Sequence, residues 1–543
     1  MSAEQSLLRS STDSALTPHG SDDDLSSLSS PLGFRLSYLG TPLKDQSLSA
    51  MLQHVLSYVA TLTRICLRSS AALLPSFMRD WKRVESTHLP LSRGKQALAA
   101  LNGLRGVACL IVFNYHFIFV WTHSADVSWG TVIDTERLEE KEVIKYQGND
   151  QKSPLQLPFI RLIYAGHAMV IVFFVISGYV LSHKPMRLMR AGKFEELQRV
   201  LSSSVFRRGI RLFAPTMIGT FITMLFTNAG YFEAGKGERT DPVTYQGTNE
   251  EHPVLYSTIY EQGSDWLRSM GTLVSNVWCW DLYFNNYDPH LWTIPLEFRS
   301  SIVLFVTILG FSRVRPIPRL TLLFGLVSLC LAYWARWEVF LFLAGMMFAE
   351  LDLISGIFTE TPLLDEEKDT SRSQRSFGWA WGAMMLVGLF LNSCPSAQPY
   401  NAPGYMYLST FVPEPYNWQP GRPLQAIGGC LMVWSFMHLP KIQRIFTTAV
   451  AQYLGQISYA FYIVHGPILH GFGYGFVLRC WSLTGKETNV GFASGLALAV
   501  LVILPIAIWA ADLFWRAVDT PCVELARWIE MRLSSGLNNT NER

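Results

Sequence analysis

Long apolar stretches separated by polar segments run through most of the chain from about residue 100 onward. About ten of them reach or approach the ~20 residues that a helix needs to cross the hydrocarbon core of a bilayer. A single segment in lipid satisfies its backbone hydrogen bonds as a helix. The pattern therefore predicts an all-α, polytopic membrane helix bundle, with spans at roughly 100–122, 157–183, 205–228, 290–310, 318–335, 337–355, 378–394, 424–440, 451–475 and 492–518.

The two ends of the chain break this pattern. Residues 1–50 are rich in serine and poor in bulky apolar residues, which predicts a disordered tail. Residues 51–94 hold a partly amphipathic stretch interrupted by arginines, which favours a helix on the membrane surface over a further span. The membrane domain is predicted over 95–530, followed by a C-terminal tail at 531–543.

Basic residues in the short loops indicate how the bundle is oriented. Because cytosolic loops of membrane proteins carry an excess of Lys and Arg, the basic loops should lie in the cytosol together with both termini. The long aromatic loops 123–156 and 229–289 then face the lumen of the endoplasmic reticulum or another endomembrane. The basic residues that agree on this orientation are Lys184, Arg187, Arg190, Lys193, Arg199, Arg313, Arg315, Arg319, Lys441, Arg444, Arg516, Arg527 and Arg532.

Composition narrows the classes of function. The chain is 49% hydrophobic and 16% charged, and its net charge of +2 indicates no nucleic-acid partner. Its eight cysteines form no CxxC pair, which argues against a zinc site or a dense disulfide scaffold. The disulfide status of Cys279, Cys394 and Cys480 stays open, as does the oligomeric state. The absence of an internal repeat weighs against a transporter without ruling it out.

The first span carries two ionisable residues, Arg105 and His116. Such residues inside a span are costly and usually mark a functional site. Eleven residues are slightly more than three helical turns, so the two side chains should share one face, roughly 16 Å apart along the axis. The alternative is a snorkelling arginine and a core histidine held by a hydrogen bond. Further basic residues at the same end of the bundle favour a functional pair.

Those further residues are Lys184, Arg207, Arg208 and Arg211, which the orientation places at the cytosolic rim, level with Arg105. Guanidinium groups match phosphates in geometry and charge, so the rim is expected to bind an anion. Attraction to acidic lipid headgroups is the alternative. That alternative does not account for Arg105, which lies within an apolar helix.

Span four supplies a carboxylate, Glu297. Counted from the lumenal end of the span, it lies about two turns down, near 10 Å, and so at the level expected for His116. There it would orient the histidine and stabilise its protonated form; pairing with Arg299 or helix packing is the alternative. His465 in span nine is interpreted as a polar contact between helices, and its five-residue spacing from His470 argues against a metal pair.

Five segments in this order resemble the acyltransferase 3 family of integral-membrane O-acyltransferases, in particular its fungal members. They are LRG at 104–106 followed by His116, FFVISGY at 173–179, FRRGIRLFAP at 206–215, LWTIPLEF at 291–298 and ISYAFYIVHGP at 457–467. The resemblance covers roughly residues 95–530. The long loops 229–289 and 395–423 are peculiar to this chain, so bacterial polysaccharide acceptors are not carried over.

The resemblance implies a ten-span enzyme that passes an acyl group from cytosolic acyl-CoA to a hydroxyl of an acceptor. Acyl-CoA is then a co-substrate, and neither a permanently bound cofactor nor a metal is expected. Arg105 and His116 would be the essential pair, and Glu297 matches the family's carboxylate. The residues expected to help bind the donor are Ser177, Gly178, Tyr179, Lys184, Arg207, Arg208 and Arg211.

Two chemical roles for His116 stay open. It is either a general base toward the acceptor hydroxyl or the carrier of a transient acyl group. The acceptor is equally open: a sugar, a sterol or lipid, and a polyketide or terpenoid metabolite all fit, with acetyl as the commonest acyl group. A transporter or exporter of an acylated metabolite, a membrane sensor and another class of membrane acyltransferase are the competing functions.

Overall fold

A computed structural model describes residues 74–76, 93–122, 125–134, 152–233, 252–356 and 363–534. The predicted disordered tail, the C-terminal end from 535 and nearly all of the predicted surface helix lie outside the described residues. The chain divides into two units, Met1–Trp81 and Lys82–Arg543.

The regular structure of the described residues is helical, apart from an isolated bridge between Asn285 and Asp288. This confirms the all-α prediction. The α-helices are α1 (Arg93–Phe119), α2 (Gly166–Arg190), α3 (Phe194–Asn228), α4 (Ile259–Ser275), α5 (Thr293–Gly310), α6 (Pro316–Ala332), α7 (Trp337–Ile354), α8 (Leu363–Asn392), α9 (Met406–Ser409), α10 (Arg422–Met437), α11 (Pro440–Phe446), α12 (Ala449–Ile468), α13 (Tyr474–Thr484), α14 (Asn489–Phe514) and α15 (Thr520–Ser534).

Several of these helices are long and apolar enough to cross a membrane, which makes the chain an integral multi-pass membrane protein. Within the described residues, five reach this length: Gly94–Phe119, Gly166–Arg190, Phe194–Asn228, Pro289–Gly310 and Asn489–Ser534. Two shorter apolar helices, Pro316–Ala332 and Gly378–Asn392, accompany them. The full count of ten spans stays a prediction.

Two segments differ from the sequence-based expectation. The loop 229–289, which is expected to face the lumen, contains α4. This helix begins with a capping box in which Thr258 and Glu261 bond each other's backbone N–H. The helical segment that was predicted as the ninth span also continues past residue 475. A π-helical turn at Leu469–Gly473 joins α12 to α13, so the helical path runs on to Thr484.

Glycines allow the helices that carry the site to touch. A Cβ on Gly106 would lie 2.4 Å from the backbone nitrogen of Gly455, and one on Gly455 would lie 2.3 Å from the carbonyl oxygen of Asn102. The backbones of α1 and α12 are therefore in direct contact. The crossing of α2 and α7 is equally close, since a Cβ on Gly178 would lie 2.3 Å from the carbonyl oxygen of Phe342. Small residues at helix crossings are how membrane helices approach this closely.

Candidate active site

Three histidines from distant parts of the sequence meet in the interior. His116 of α1 contacts His290, which precedes α5, in an edge-to-face arrangement with ring centroids 3.9 Å apart. His465 of α12 closes the group, 4.9 Å from His290 and 5.5 Å from His116 between centroids. His290 and His465 are buried, and His116 is half-buried. The three rings form what we call the histidine cluster.

Asp288 fixes the orientation of His290. It is the N-cap of the 3-10 turn Pro289–Trp292, and its Oδ1 accepts from the backbone nitrogen of His290 at 3.1 Å and lies 2.8 Å from the ring Nδ1. Both side chains are almost fully buried. Because a carboxylate only accepts, Nδ1 carries the ring proton and Nε2 keeps its lone pair. The same carboxylate stabilises positive charge on the ring once Nε2 takes up a proton.

The loop before His290 is anchored on α4. The side-chain oxygen of Asn285 accepts from the backbone nitrogens of Tyr287 and Asp288, at 2.9 and 3.3 Å. The Tyr287 hydroxyl in turn donates to Asp265 at 3.0 Å. Burial, together with the charge of Asp265, raises the pKa of Tyr287, so this phenol stays a hydrogen-bond donor. The position of Asp288 is therefore fixed by hydrogen bonds within its own loop as well as by its contact with the His290 ring.

Helix α12 packs directly against this pair. A Cβ on Gly466 would lie 2.5 Å from His290 Nδ1 and 2.7 Å from Asp288 Oδ1. One turn earlier, the Tyr462 hydroxyl contacts the carbonyl oxygen of His290 and lies 2.7 Å from the Thr293 hydroxyl. The absence of a side chain at Gly466 thus lets α12 close over the His290–Asp288 hydrogen bond.

The two ring nitrogens of His465 have different surroundings: Nδ1 anchors the ring to its own helix, and Nε2 is the other nitrogen, on the side of the cluster. Its Nδ1 lies 2.7 Å from the Tyr462 carbonyl and 3.2 Å from that of Phe461, so this nitrogen carries the proton. Its Nε2 is buried and has no hydrogen-bond partner among the described residues. The expectation that His465 serves helix packing is therefore incomplete, since the ring belongs to the cluster.

The cluster also invites comparison with a metal site. One ligand atom from each of His116, His290 and His465 lies within 4.8 Å of the others. Tetrahedral zinc with Zn–N bonds of about 2 Å would hold the ring centroids roughly 5 Å apart. The distances of 4.9 and 5.5 Å to His465 fit this geometry, but the 3.9 Å between His116 and His290 is too short for it. That pair is arranged for ring contact.

Arg105 and His116 lie on the same face of α1, as the spacing predicts. Arg105 is buried and donates to the Ser458 hydroxyl at 3.1 Å, while His116 contacts His465, seven residues further along the same helix α12. The two helices therefore run parallel over this stretch. Their shared interface carries a cation at one end and the histidine cluster at the other.

The position of Glu297 corrects the expected level of this carboxylate. It pairs with Arg208, whose Nη2 donates to its Oε1 at 2.9 Å, and the same guanidinium donates to Ser301 at 3.1 Å. His290, not Glu297, is the α5-side residue that contacts His116, and Glu297 follows it by about two turns, roughly 10 Å. The estimate failed because it took His290 as the lumenal surface, whereas His290 is buried beneath the preceding loop.

The basic residues expected at the rim have various surroundings. Arg207 forms a half-buried ion pair with Glu530 at 3.0 Å, and Arg208 is committed to Glu297. The Nε of Arg211 is buried with no hydrogen-bond partner among the described residues, and Lys184 is half-buried. Of the four, Arg207 and Arg208 would therefore have to exchange a carboxylate partner to meet a phosphate.

The SGY segment lies at a helix crossing. Gly178 contacts the backbone of Phe342, and the buried Tyr179 donates to Asp352 Oδ2 at 2.8 Å. Ser177 is half-buried beside them. These contacts join α2 to α7, so the segment has a structural role irrespective of any part in donor binding.

His290 and Asp288 have no predicted role from the sequence pattern. A signal for the pair does exist, because Asp288-Pro289 is the sequence of an N-cap followed by proline at the first helical position. That signal places the Asp288 carboxylate next to the backbone nitrogen of His290. It does not say that the loop is buried or which helix packs on it.

Sequence similarity to known proteins covers most of the chain. Residues 98–515 match the model of the Acyltransferase domain, and this segment contains the whole histidine cluster. The O-acetyltransferase PaAT-1 of Phomopsis amygdali is 33% identical over 478 residues, which cover 85% of this chain and 88% of the relative. No solved structure matches the chain.

Two further relatives have lower identity but are covered almost completely. Acyltransferase R4 of Phoma sp. (strain ATCC 20986 / MF5453) is 28% identical over 472 residues, covering 80% of this chain and 97% of the relative. Acyltransferase clz18 of Cochliobolus lunatus is 25% identical over 473 residues, again covering 80% and 97%. Together with the match to the family model, these similarities select the enzyme among the classes that the sequence left open: the chain belongs to the acyltransferase 3 family and is an acyltransferase.

Proposed function

We propose that this protein transfers an acyl group, acetyl in the simplest case, from acyl-CoA to a hydroxyl of a small hydroxylated metabolite. The observation that carries the proposal is the placement of His116. It lies in a buried polar cluster, next to a histidine oriented by a carboxylate, within the segment that matches the family. The relative PaAT-1 is named an O-acetyltransferase, which supports acetyl as the group and oxygen as the acceptor atom.

The donor is proposed to enter from the cytosolic side of a ten-span bundle with both termini in the cytosol, in the endoplasmic reticulum or another endomembrane. CoA phosphates would meet the basic rim, with Lys184 and Arg211 as first contacts. Arg207 and Arg208 would follow after exchange with Glu530 and Glu297. Arg105 stands on the same face of α1 as His116, roughly 16 Å along the helix axis. The thioester would thus travel along the interface of α1 and α12 to the cluster.

The acceptor is proposed to be apolar and to belong to secondary metabolism, as a polyketide or terpenoid. A cavity of about 630 Å³ lies between α3, α12 and α14. Its described lining is predominantly aliphatic and aromatic, with Thr223 and Tyr231 as its hydroxyl-bearing side chains. A sugar would leave most of its hydroxyls without partners there, which is costly in an apolar setting. The cavity therefore favours an apolar skeleton that reaches the enzyme from the bilayer.

The test uses the full-length protein in lipid nanodiscs. Comparative metabolite profiling of a deletion strain supplies the acceptor, since the unacylated compound accumulates there and its organic extract serves as substrate. Acetyl-CoA with this extract is expected to release CoA and form an ester, and His116→Ala and Arg105→Ala proteins that still fold are expected to do neither. Transport of an extract compound without consumption of acetyl-CoA would contradict the proposal, as would normal activity of the His116 variant.

A further inference from the structure

Two rings of the histidine cluster, His116 and His290, are in direct contact. A catalytic role for His116 alone does not explain why His290 lies against it. His290 is nearly fully buried, its Nδ1 is committed to Asp288, and its ring meets that of His116 with centroids 3.9 Å apart. A buried carboxylate–imidazole pair beside a reactive group is the arrangement of a general base, because the carboxylate fixes the tautomer and stabilises the protonated ring.

The two rings are also carried by different elements of the bundle. His116 follows Arg105 along α1, from the side at which we place the donor. His290 and Asp288 belong to the loop anchored on α4, from the side of the long loops. A group that must handle the acyl-CoA and a group that must handle the acceptor are therefore supplied by different segments.

We propose that His290, positioned by Asp288, is a second catalytic residue: it takes the proton of the acceptor hydroxyl, while His116 carries the acyl group as an acyl-histidine. This inference rests on the proposed function. It assigns the two open roles of His116 to two rings, and Asp288 acts through His290 as a positioning residue.

The two steps balance. In the first, a nitrogen of His116 attacks the thioester carbonyl, the C–S bond breaks, and CoA leaves as a thiolate that takes the remaining ring proton of the acylated histidine. In the second, His290 Nε2 accepts the hydroxyl proton as the oxygen attacks the acyl carbon. The bond between that carbon and His116 breaks, the electron pair returns to the ring nitrogen, and the protonated His290 returns a proton to His116. The rings lie with their centroids 3.9 Å apart, so the final transfer can run directly between their nitrogens or through one water molecule.

This arrangement predicts that acylation and deacylation separate in a variant. His290→Asn keeps a side-chain N–H near the position of Nδ1, and hence the hydrogen bond to Asp288, but removes the Nε2 base. The full-length protein in nanodiscs, mixed rapidly with acetyl-CoA alone, is expected to release close to one equivalent of CoA and to carry an acetyl group on the peptide that contains His116. His290→Asn should retain this burst, whereas turnover with the deletion-strain extract should fall at least about 100-fold.

Asp288→Asn is expected to behave like His290→Asn, and Asp281→Asn is its matched control. Asp281 is an exposed residue seven positions earlier, and its variant should retain both burst and turnover. His116→Ala should lose both. Acetate release is measured in parallel, because water also hydrolyses an acyl-histidine and would lower the amount of acetylated protein.

The outcomes separate this inference from the function on which it rests. A wild-type protein that turns over with extract but shows neither burst nor acetylated peptide overturns the inference and leaves the acyltransferase intact. Loss of the burst in His290→Asn, or normal turnover in it, also overturns the inference. If the wild-type protein releases no CoA with acetyl-CoA and extract together, the proposed function itself fails.

Discussion

Replacing Gly466 with alanine tests the geometry of the cluster without removing any of its chemical groups. The added methyl carbon would lie 2.5 Å from His290 Nδ1 and 2.7 Å from Asp288 Oδ1, the two atoms of one hydrogen bond. Ordinary contact distances are about 3.5 Å, so either α12 or the pair must move by about 1 Å. The substitution therefore acts as a wedge between the helix and the His290–Asp288 pair.

Opposing effects set the expected size of the stability change. Overpacking of this kind costs about 1–3 kcal/mol, while alanine is favoured over glycine within a helix by about 1 kcal/mol. The net loss of stability should stay below about 2 kcal/mol, so the variant folds. Activity is the more sensitive quantity, because a misplacement of about 1 Å in a catalytic group lowers the rate by about 100-fold.

Turnover of acetyl-CoA with the deletion-strain extract is the assay, read beside a thermal unfolding curve for each protein. Gly475→Ala is the matched control, since this glycine is also helical and a Cβ there would meet nothing within 4 Å. The control should be as stable as the wild type or slightly more so, with unchanged turnover. Wild-type turnover in Gly466→Ala would refute the account, because it would mean that the packing of α12 on His290 and Asp288 has no bearing on catalysis.

Three further outcomes are expected. Glu297→Gln should lower the thermal midpoint, because it removes the carboxylate from the buried Arg208 at a cost of about 3–5 kcal/mol. The double variant Glu297→Gln with Arg208→Met should recover part of the lost stability. If it recovers none, the ion pair is not the reason for the loss. Tyr462→Phe should lower turnover by about 10-fold with little change in the thermal midpoint. The substitution frees the His290 backbone from α12 but leaves the hydrogen bond between the His290 ring and Asp288. Unchanged turnover would contradict this expectation. Dialysis against a chelator should leave CoA release unchanged, and activity that is lost and then restored by zinc would show that the histidine cluster holds a metal.

Hydropathy predicted the helical bundle and the first-span pair because both depend on local sequence. The apolar length of a span and the shared face of Arg105 and His116 follow from the rise and the period of one helix. Contact with Ser458 and His465 then places both residues on the α1–α12 interface. That interface itself was beyond the pattern, since nothing local says that Gly106 and Gly455 bring these two helices together.

The predicted depth of Glu297 was wrong, for a physical reason. Counting from the end of an apolar stretch gives a level only when the helix begins at the membrane surface. Here the loop anchored by Asn285 and Tyr287 covers the start of the helix, so His290 is already buried. The carboxylate at the cluster is therefore Asp288, two residues before His290, while Glu297 serves Arg208.

The wide separation of the three histidines along the chain bears on how the enzyme is made. Positions 116, 290 and 465 span most of the membrane domain, and helices from its beginning, middle and end must pack before the rings can meet. During synthesis the cluster cannot form until α12 has left the ribosome and packed against α1. On the proposed mechanism, a partly translated chain would insert its early helices without a catalytic centre and would not consume acyl-CoA. The order of the helices would then keep unfinished protein from using the cell's thioester.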